Sequence, residues 1–169
     1  MELRARVGEE TADDHRTEEV QMTAITAEAN LRQARETTVR NHYEAENRHD
    51  LDALLATFSP SKASYDIPAF GEAGQPADAA AVRGMWEGIL AVFPDVHHEV
   101  LRLRHGDDFI LVEYVVSGTQ KADWAGIPAT GRSFAIRVAA VYEFDGEALV
   151  CERVYTDVAD WVRQLSSTT

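Results

Sequence analysis

The apolar positions of this chain change period along its length, and the changes mark its elements. From Leu31 to Phe58 they recur at helical spacing, and Val39, His42, Tyr43 and Glu46 share one face at i, i+3, i+4 and i+7. Asp50 reads as the N-cap of a second set, Leu51, Leu54, Leu55 and Phe58, which Ser59-Pro60 stops. The spacing therefore predicts two helices with a break near Arg48 to Asp50. Ala63 to Phe70 alternates as a short strand, and Gly71 to Pro76 is a loop. Ala77 to Phe93 carries the stripe Val82, Met85, Trp86, Ile89 and Phe93, which predicts a third helix closed by Pro94-Asp95.

Beyond Val96 the period falls to two. Strands are expected over Val96 to Arg104, Phe109 to Thr119, Ser133 to Phe144 and Ala148 to Thr156. The last two should form a hairpin about Asp145-Gly146, where glycine accepts a positive φ. Between the second and third of these strands lies a loop, Lys121 to Arg132, with Trp124, Gly126, Pro128 and Gly131. Val158, Trp161, Val162 and Leu165 close the chain as one amphipathic helical set.

Helices followed by an antiparallel run predict an α+β fold. Strands this long cannot lie flat, so the expected shape is a cone: a strongly curved, mostly antiparallel sheet wrapping the N-terminal helices. Alternation carried unbroken through the strands puts Tyr114, Gln120, Tyr142, Arg153, Tyr155 and Asp157 on the inner face. The same count puts Glu113, Arg137, Glu143 and Glu152 on the outer face, toward solvent or a dimer partner.

The first thirty residues differ from the rest. They are rich in Glu, Asp and Thr and poor in apolar side chains, with Val20, Ala24 and Ala27 at helical spacing. Residues 1–30 are expected to be an acidic arm or an extra helix, and residues 31–169 the folded domain.

Composition narrows the partners. A formal net charge of −13 repels phosphate backbones and anionic lipid headgroups, which argues against nucleic acid and membrane surfaces. No apolar run approaches the ~20 residues of a membrane span, and Met1 to Arg6 has no apolar segment behind it. One cysteine, Cys151, excludes an internal disulfide and fits a reducing cytoplasm. No phosphate-binding loop, glycine-rich dinucleotide motif or zinc-ligand spacing is present, so neither a cofactor nor a metal is expected.

Several strings, in this order and spacing, resemble the SnoaL-like polyketide cyclases of the nuclear-transport-factor-2-like superfamily. They are Phe93-Pro94-Asp95, Gly118-Thr119, Gly126-Ile127-Pro128-Ala129-Thr130-Gly131-Arg132, Phe144-Asp145-Gly146, and Glu152-Arg153-Val154-Tyr155-Thr156-Asp157 followed by Gln164-Leu165. The match runs roughly from Thr38 to Leu165. Many relatives have His after the Gly-Thr pair where this chain has Gln120, which cannot shuttle a proton at neutral pH. The resemblance implies the cone fold, a homodimer through the outer sheet face, and a pocket carboxylate acting as acid and base.

On that basis Asp157 is the first catalytic candidate. A carboxylate at an apolar pocket floor has its pKa raised and becomes a better base near pH 7. The competing role is an N-cap for the helical set it precedes. Arg153, of matching parity, either orients an enolate oxygen or makes a structural ion pair. His97 and His98 alternate, so one of them faces inward; the family pattern favours His98 as a second acid or base. Tyr43, Tyr65, Tyr114, Tyr142 and Tyr155 supply phenol donors, Gln120 a neutral amide, and Trp86 and Trp124 flat surfaces for a ring-bearing ligand; each of the aromatics is also ordinary core material. Cys151 reads as core.

These residues lead to a cofactor-independent cyclase: proton abstraction beside a carbonyl of a small, apolar, polyketide-type substrate, followed by intramolecular aldol closure. The alternatives are epoxide opening or isomerisation in the same pocket, or a ligand-binding module without chemistry.

Overall fold

The structure, a computed structural model, describes residues 2–166, with side chains for residue 16 and residues 18–166. The elements in chain order are helix α1 (Glu2–Asn47), helix α2 (Leu51–Ala56), strand β1 (Tyr65–Asp66), a 3-10 segment (Pro68–Gly74), helix α3 (Ala79–Val92), strands β2 (His97–His105), β3 (Phe109–Thr119), β4 (Ser133–Asp145) and β5 (Ala148–Thr156), and helix α4 (Val158–Ser166). The chain divides into two compact units, residues 1–34 and residues 35–169.

In the first unit, the weak helix expected around Val20 to Ala27 is part of the continuous helix α1. Val20, Met22 and Ile25 are exposed there, and Arg32 pairs with Glu28 one turn earlier. Among the described residues no helix is long and apolar enough to cross a membrane.

The second unit is the expected α+β cone. Five strands in the order β1-β5-β4-β3-β2 form one sheet, antiparallel except where β1 runs parallel to β5. Its inner face and the C-terminal turns of α1, with α2 and α3, share one apolar core in which Val39, Leu54, Val82, Ile110, Val112, Ala140 and Leu149 are fully buried. The predicted break between the first two helices falls at residues 48–50, where His49 takes φ 56° and Asp50 caps α2 through its carboxylate and the Ala53 amide. The Asp145-Gly146 hairpin forms as expected, with Gly146 at φ 62°.

One departure decides what the cavity contains. Alternation along β5 is broken by a bulge: Leu149 pairs with Phe144 and Cys151 with Glu143, so Val150 is the extra residue. A one-residue insertion exchanges the two faces of everything after it. Leu149 points inward, and beyond the bulge Glu152 is buried while Tyr155 is 52% exposed. The expectation that Arg153, Tyr155 and Asp157 face inward and Glu152 outward is therefore corrected. The sequence pattern hides the bulge because Val150 and Cys151 are both apolar and suit either face.

Candidate active site

Between the inner sheet face and α3 lies a cavity of about 100 Å3. It opens beside a wider one of about 370 Å3, with Ile67, Phe70, Met85, Ile89 and Trp124 lining both. Apolar walls dominate the inner cavity, and the polar groups that reach it are Tyr65, His98, Tyr114, Glu152, Thr156 and the Trp161 indole.

Behind Glu152 sits a buried polar cluster. His42 and Glu46 stand one turn apart on the inward stripe of α1, fixed where α1 is tied to β2: the Asn47 amide donates to the His98 carbonyl at 2.9 Å and accepts from the His98 amide at 2.7 Å. Thr57 donates its hydroxyl proton to the Leu54 carbonyl, so toward His42 Nδ1, 2.6 Å away, its oxygen accepts. The proton on Nδ1 is thereby fixed, and Nε2 faces the carboxylates. Nε2 lies 3.1 Å from Glu152 Oε2, 3.3 Å from Glu46 Oε1 and 2.8 Å from the Tyr65 hydroxyl. Tyr65 donates to Glu46 Oε1 at 2.8 Å and receives the Trp86 indole N–H at 3.2 Å. Tyr114 donates to Glu152 Oε1 at 3.3 Å.

Two carboxylates around one imidazole in a dry interior pull their pKa values apart. Burial alone would depress His42, but Glu46 and Glu152 outweigh it and raise His42 to about 9, so it is an imidazolium at neutral pH. Burial also acts to raise Glu46, yet His98, His42 and the Tyr65 hydrogen bond hold it below the usual carboxylate range. Glu152 goes the other way, raised by burial and then by Glu46, against the pull of His42. His98 is lowered by burial, only partly offset by Glu46, which keeps the ring neutral near pH 7. Burial holds the Tyr65 and Tyr114 phenols well above their ordinary range, so both remain proton donors.

His42, Glu46 and Glu152 are also a set that could take a metal ion: one ligand atom from each falls within 4.8 Å of the others. Spacing along the chain does not reveal this set, because Glu152 arrives from a distant strand. The three groups are already engaged with one another and with Tyr65 and Tyr114.

The structure brings together some of the expected site residues and disperses the others. Tyr65, Trp86, His98, Tyr114 and Trp124 line the inner cavity. His98 packs edge-on to Trp86 and Tyr114, with ring centroids 6.0 and 5.2 Å away. Trp124 is carried on a tight turn, with Ala125 at φ 50° and Gly126 at φ 78°, and its ring stacks on Trp161 at 4.6 Å.

The remaining candidates lie outside that cavity. Tyr142 is fully buried against His42, behind the wall. Tyr43 packs at the core edge and receives a hydrogen bond from Arg40. Gln120 is a loop fastener: its amide donates to the Ile127 carbonyl at 3.1 Å and its oxygen accepts from Thr130 Oγ1 at 2.8 Å. Arg153 lies between Asp66 and Glu143 at 2.7 and 2.6 Å, a structural pair on the outer face. Tyr155 faces outward beside Leu101 and Arg137. Asp157 is exposed and accepts the Asp160 amide at 3.0 Å, so the cap is its observed role.

Sequence reading missed Glu152 as a pocket group, and His42 and Glu46 as its partners. For the latter pair a signal existed. A His and a Glu one turn apart on the apolar stripe of a helix have to be paired when buried.

Solved structures agree with this architecture. IdmH, a candidate polyketide cyclase from Streptomyces antibioticus, is 26% identical, with a TM-score of 0.67 over 79% of this chain and 99% of its own. A candidate polyketide cyclase from Xanthomonas campestris pv. campestris is 21% identical, with a TM-score of 0.71 over 80% of this chain and 99% of its own. AclR, a candidate hydroxylase from Streptomyces galilaeus, is 20% identical, with a TM-score of 0.65 over 80% and 97%. A search of curated proteins returned no match. The model of the SnoaL-like domain matches residues 39–152, from the buried face of α1 to the cavity carboxylate Glu152, and the chain belongs to that family.

Proposed function

We propose that this protein is a polyketide-cyclase-type enzyme in which Glu152 moves the proton. The observation that carries this reading is a carboxyl group 1% exposed, raised in pKa, and opening on an apolar cavity of about 100 Å3. Membership of the SnoaL-like family and the likeness to IdmH support the reaction class.

In this scheme the substrate places an acidic C–H, next to a carbonyl, against Glu152. The carboxylate takes the proton, and the electron pair moves onto the carbonyl oxygen as an enolate. Tyr114 O–H and the neutral His98 ring, both in the cavity wall, donate to that oxygen. The enolate carbon attacks a second carbonyl of the folded substrate, forming the new C–C bond. Protonated Glu152 then returns its proton to the resulting alkoxide, so the product is a cyclic isomer of the substrate. His42, charged and fixed by Thr57, stabilises Glu152 as an anion after each turnover and holds its position. The step as written draws on side chains and the substrate's own carbonyls, with donors already placed where charge develops.

The test is conversion of linear poly-β-keto esters to products of unchanged mass and new retention, by wild type and Glu152→Gln. Loss of a general base of this kind costs about 10²–10⁴ in rate. Full turnover by Glu152→Gln would remove the proposal.

A further inference from the structure

Of the polar groups of the cavity wall, Tyr65 is held by Glu46 and Trp86, while Trp161 and Thr156 take no part in the proposed reaction. Trp161 Nε1 and Thr156 Oγ1 are both buried at the atom level and have no hydrogen-bond partner among the described residues. Both residues line the cavity. A buried N–H or O–H without a partner is costly and rare, so an oxygen from outside the chain is the natural counterpart.

Their position relative to Glu152 follows from the strand. Between Glu152 and Thr156 the β4–β5 register is unbroken, from Glu152 opposite Tyr142 to Thr156 opposite Val138. Four strand residues separate them by roughly 13 Å at the backbone. Glu152, Val154 and Thr156 share the inner face, so the wall between the two polar ends is the apolar Val154. At the Thr156 end, Trp161 lies against Trp124, Phe134 and Phe93, with ring centroids 4.6, 4.8 and 5.5 Å away. That end of the cavity is thus walled by flat rings and offers an N–H and an O–H; the Glu152 end offers acid–base groups.

We infer that Trp161 and Thr156 form a specificity end that holds a second oxygen of the substrate, a ketone or phenol, on a flat ring-bearing scaffold whose reacting carbonyl sits at Glu152. The inference rests on the acid–base reading for which end reacts, but the binding contrast it predicts does not depend on catalysis. Trp161 N–H donates to the distal oxygen, and Thr156 O–H donates beside it. The neighbouring space that shares Phe70 and Trp124 with the cavity receives the rest of a larger molecule.

The experiment is calorimetric binding of 2,6-dihydroxynaphthalene and of 2-naphthol to wild type, Trp161→Phe and Thr156→Val. Wild type should bind the dihydroxy compound about threefold to tenfold more tightly, the yield of one net hydrogen bond. Each variant should shrink that preference while changing 2-naphthol affinity less than about twofold. Thr156→Val is nearly isosteric and guards against loss of fold in the tryptophan variant; thermal melting of both variants checks it. An unchanged preference in both variants overturns the inference and assigns the Trp161 N–H to the faces of its ring neighbours. No heat from either compound at millimolar concentration overturns the ring-bearing class. Glu152→Gln turnover separates the two ideas: full activity there sinks the mechanism and leaves the binding contrast standing.

Discussion

Among the described residues, two places in this domain have one cation held between two carboxylates, and they meet at Glu152 and Arg153, neighbours on β5. In the interior, His42 lies 3.1 Å from Glu152 and 3.3 Å from Glu46, with all three side chains at most 2% exposed. On the outer face Arg153 lies 2.7 Å from Asp66 and 2.6 Å from Glu143, with side chains 25–34% exposed. The outer contacts are shorter, yet the inner ones have the larger consequence. Water screens the outer triad, and Arg153 is a guanidinium at any working pH. The dry interior splits the inner carboxylates, lowering Glu46 and raising Glu152, and makes His42 a cation. Contact distance describes geometry, but burial decides whether that geometry shifts the protonation of its groups or acts as a surface staple. A single bulge at Val150 determines which of Glu152 and Arg153 enters which environment.

The comparison is tested most severely by removing each cation. His42→Leu leaves two buried carboxylates facing each other without a counter-charge and should cost about 3–5 kcal/mol. Arg153→Leu leaves Asp66 and Glu143 free to turn to water and should cost about 1 kcal/mol or less. Urea unfolding at pH 7 measures both. Similar losses at the two sites would mean that burial does not separate them.

A smaller effect appears in the pH dependence of stability. His42 titrates near 9 in the folded chain and near 6.5 when unfolded. Its folded pKa is raised, so its contribution is complete below about pH 6.5 and is lost as pH rises through about 9. The predicted loss is on the order of 3 kcal/mol. Glu152 acts in the same direction, because a raised carboxyl in the folded state makes its ionisation cost stability. Urea midpoints for wild type minus His42→Leu, measured from pH 6 to pH 9.5, should converge as pH increases. A constant gap across that range would show that His42 is neutral in the folded protein.

The fold was legible because it rests on periodicities that survive error. The α1 stripe of Val39 and His42, the α3 stripe of Val82 and Trp86, and the Asp145-Gly146 hairpin each appear where the pattern put them. Tyr65 and Tyr114 were also reachable, because no bulge precedes them on the stretch that sets their parity, and Trp86, because a helix stripe fixes it. Parity alone left His97 and His98 open, the family resemblance favoured His98, and Trp124 was named from its loop. The cavity carboxylate Glu152 was not reachable. Carrying alternation through Val150 and Cys151 assigns Arg153, Tyr155 and Asp157 to the cavity, and one extra apolar residue reverses that assignment. Gln120 illustrates a second limit. A buried amide can serve a ligand or its own loop, and only the positions of Ile127 and Thr130 distinguish the two roles.

The smallest predicted effect is at Asp157. Its Oδ1 accepts the Asp160 amide at 3.0 Å and its side chain is exposed, so it satisfies one orphan donor at the start of α4. Asp157→Ala should therefore cost about 1 kcal/mol, the usual value of a cap, and Asp157→Asn much less, because the amide oxygen can accept the same hydrogen bond. The cavity contacts α4 through Trp161, four residues beyond Asp157, so a loosened cap is expected to register there as a weaker hold on substrate. That gives the substitution a signature distinct from catalysis: KM rises modestly, kcat stays within about twofold, and the Asn variant restores both. A drop in kcat by 10²-fold in Asp157→Asn, with the cap intact, would instead place the proton transfer at the helix start and return Glu152 to a structural role.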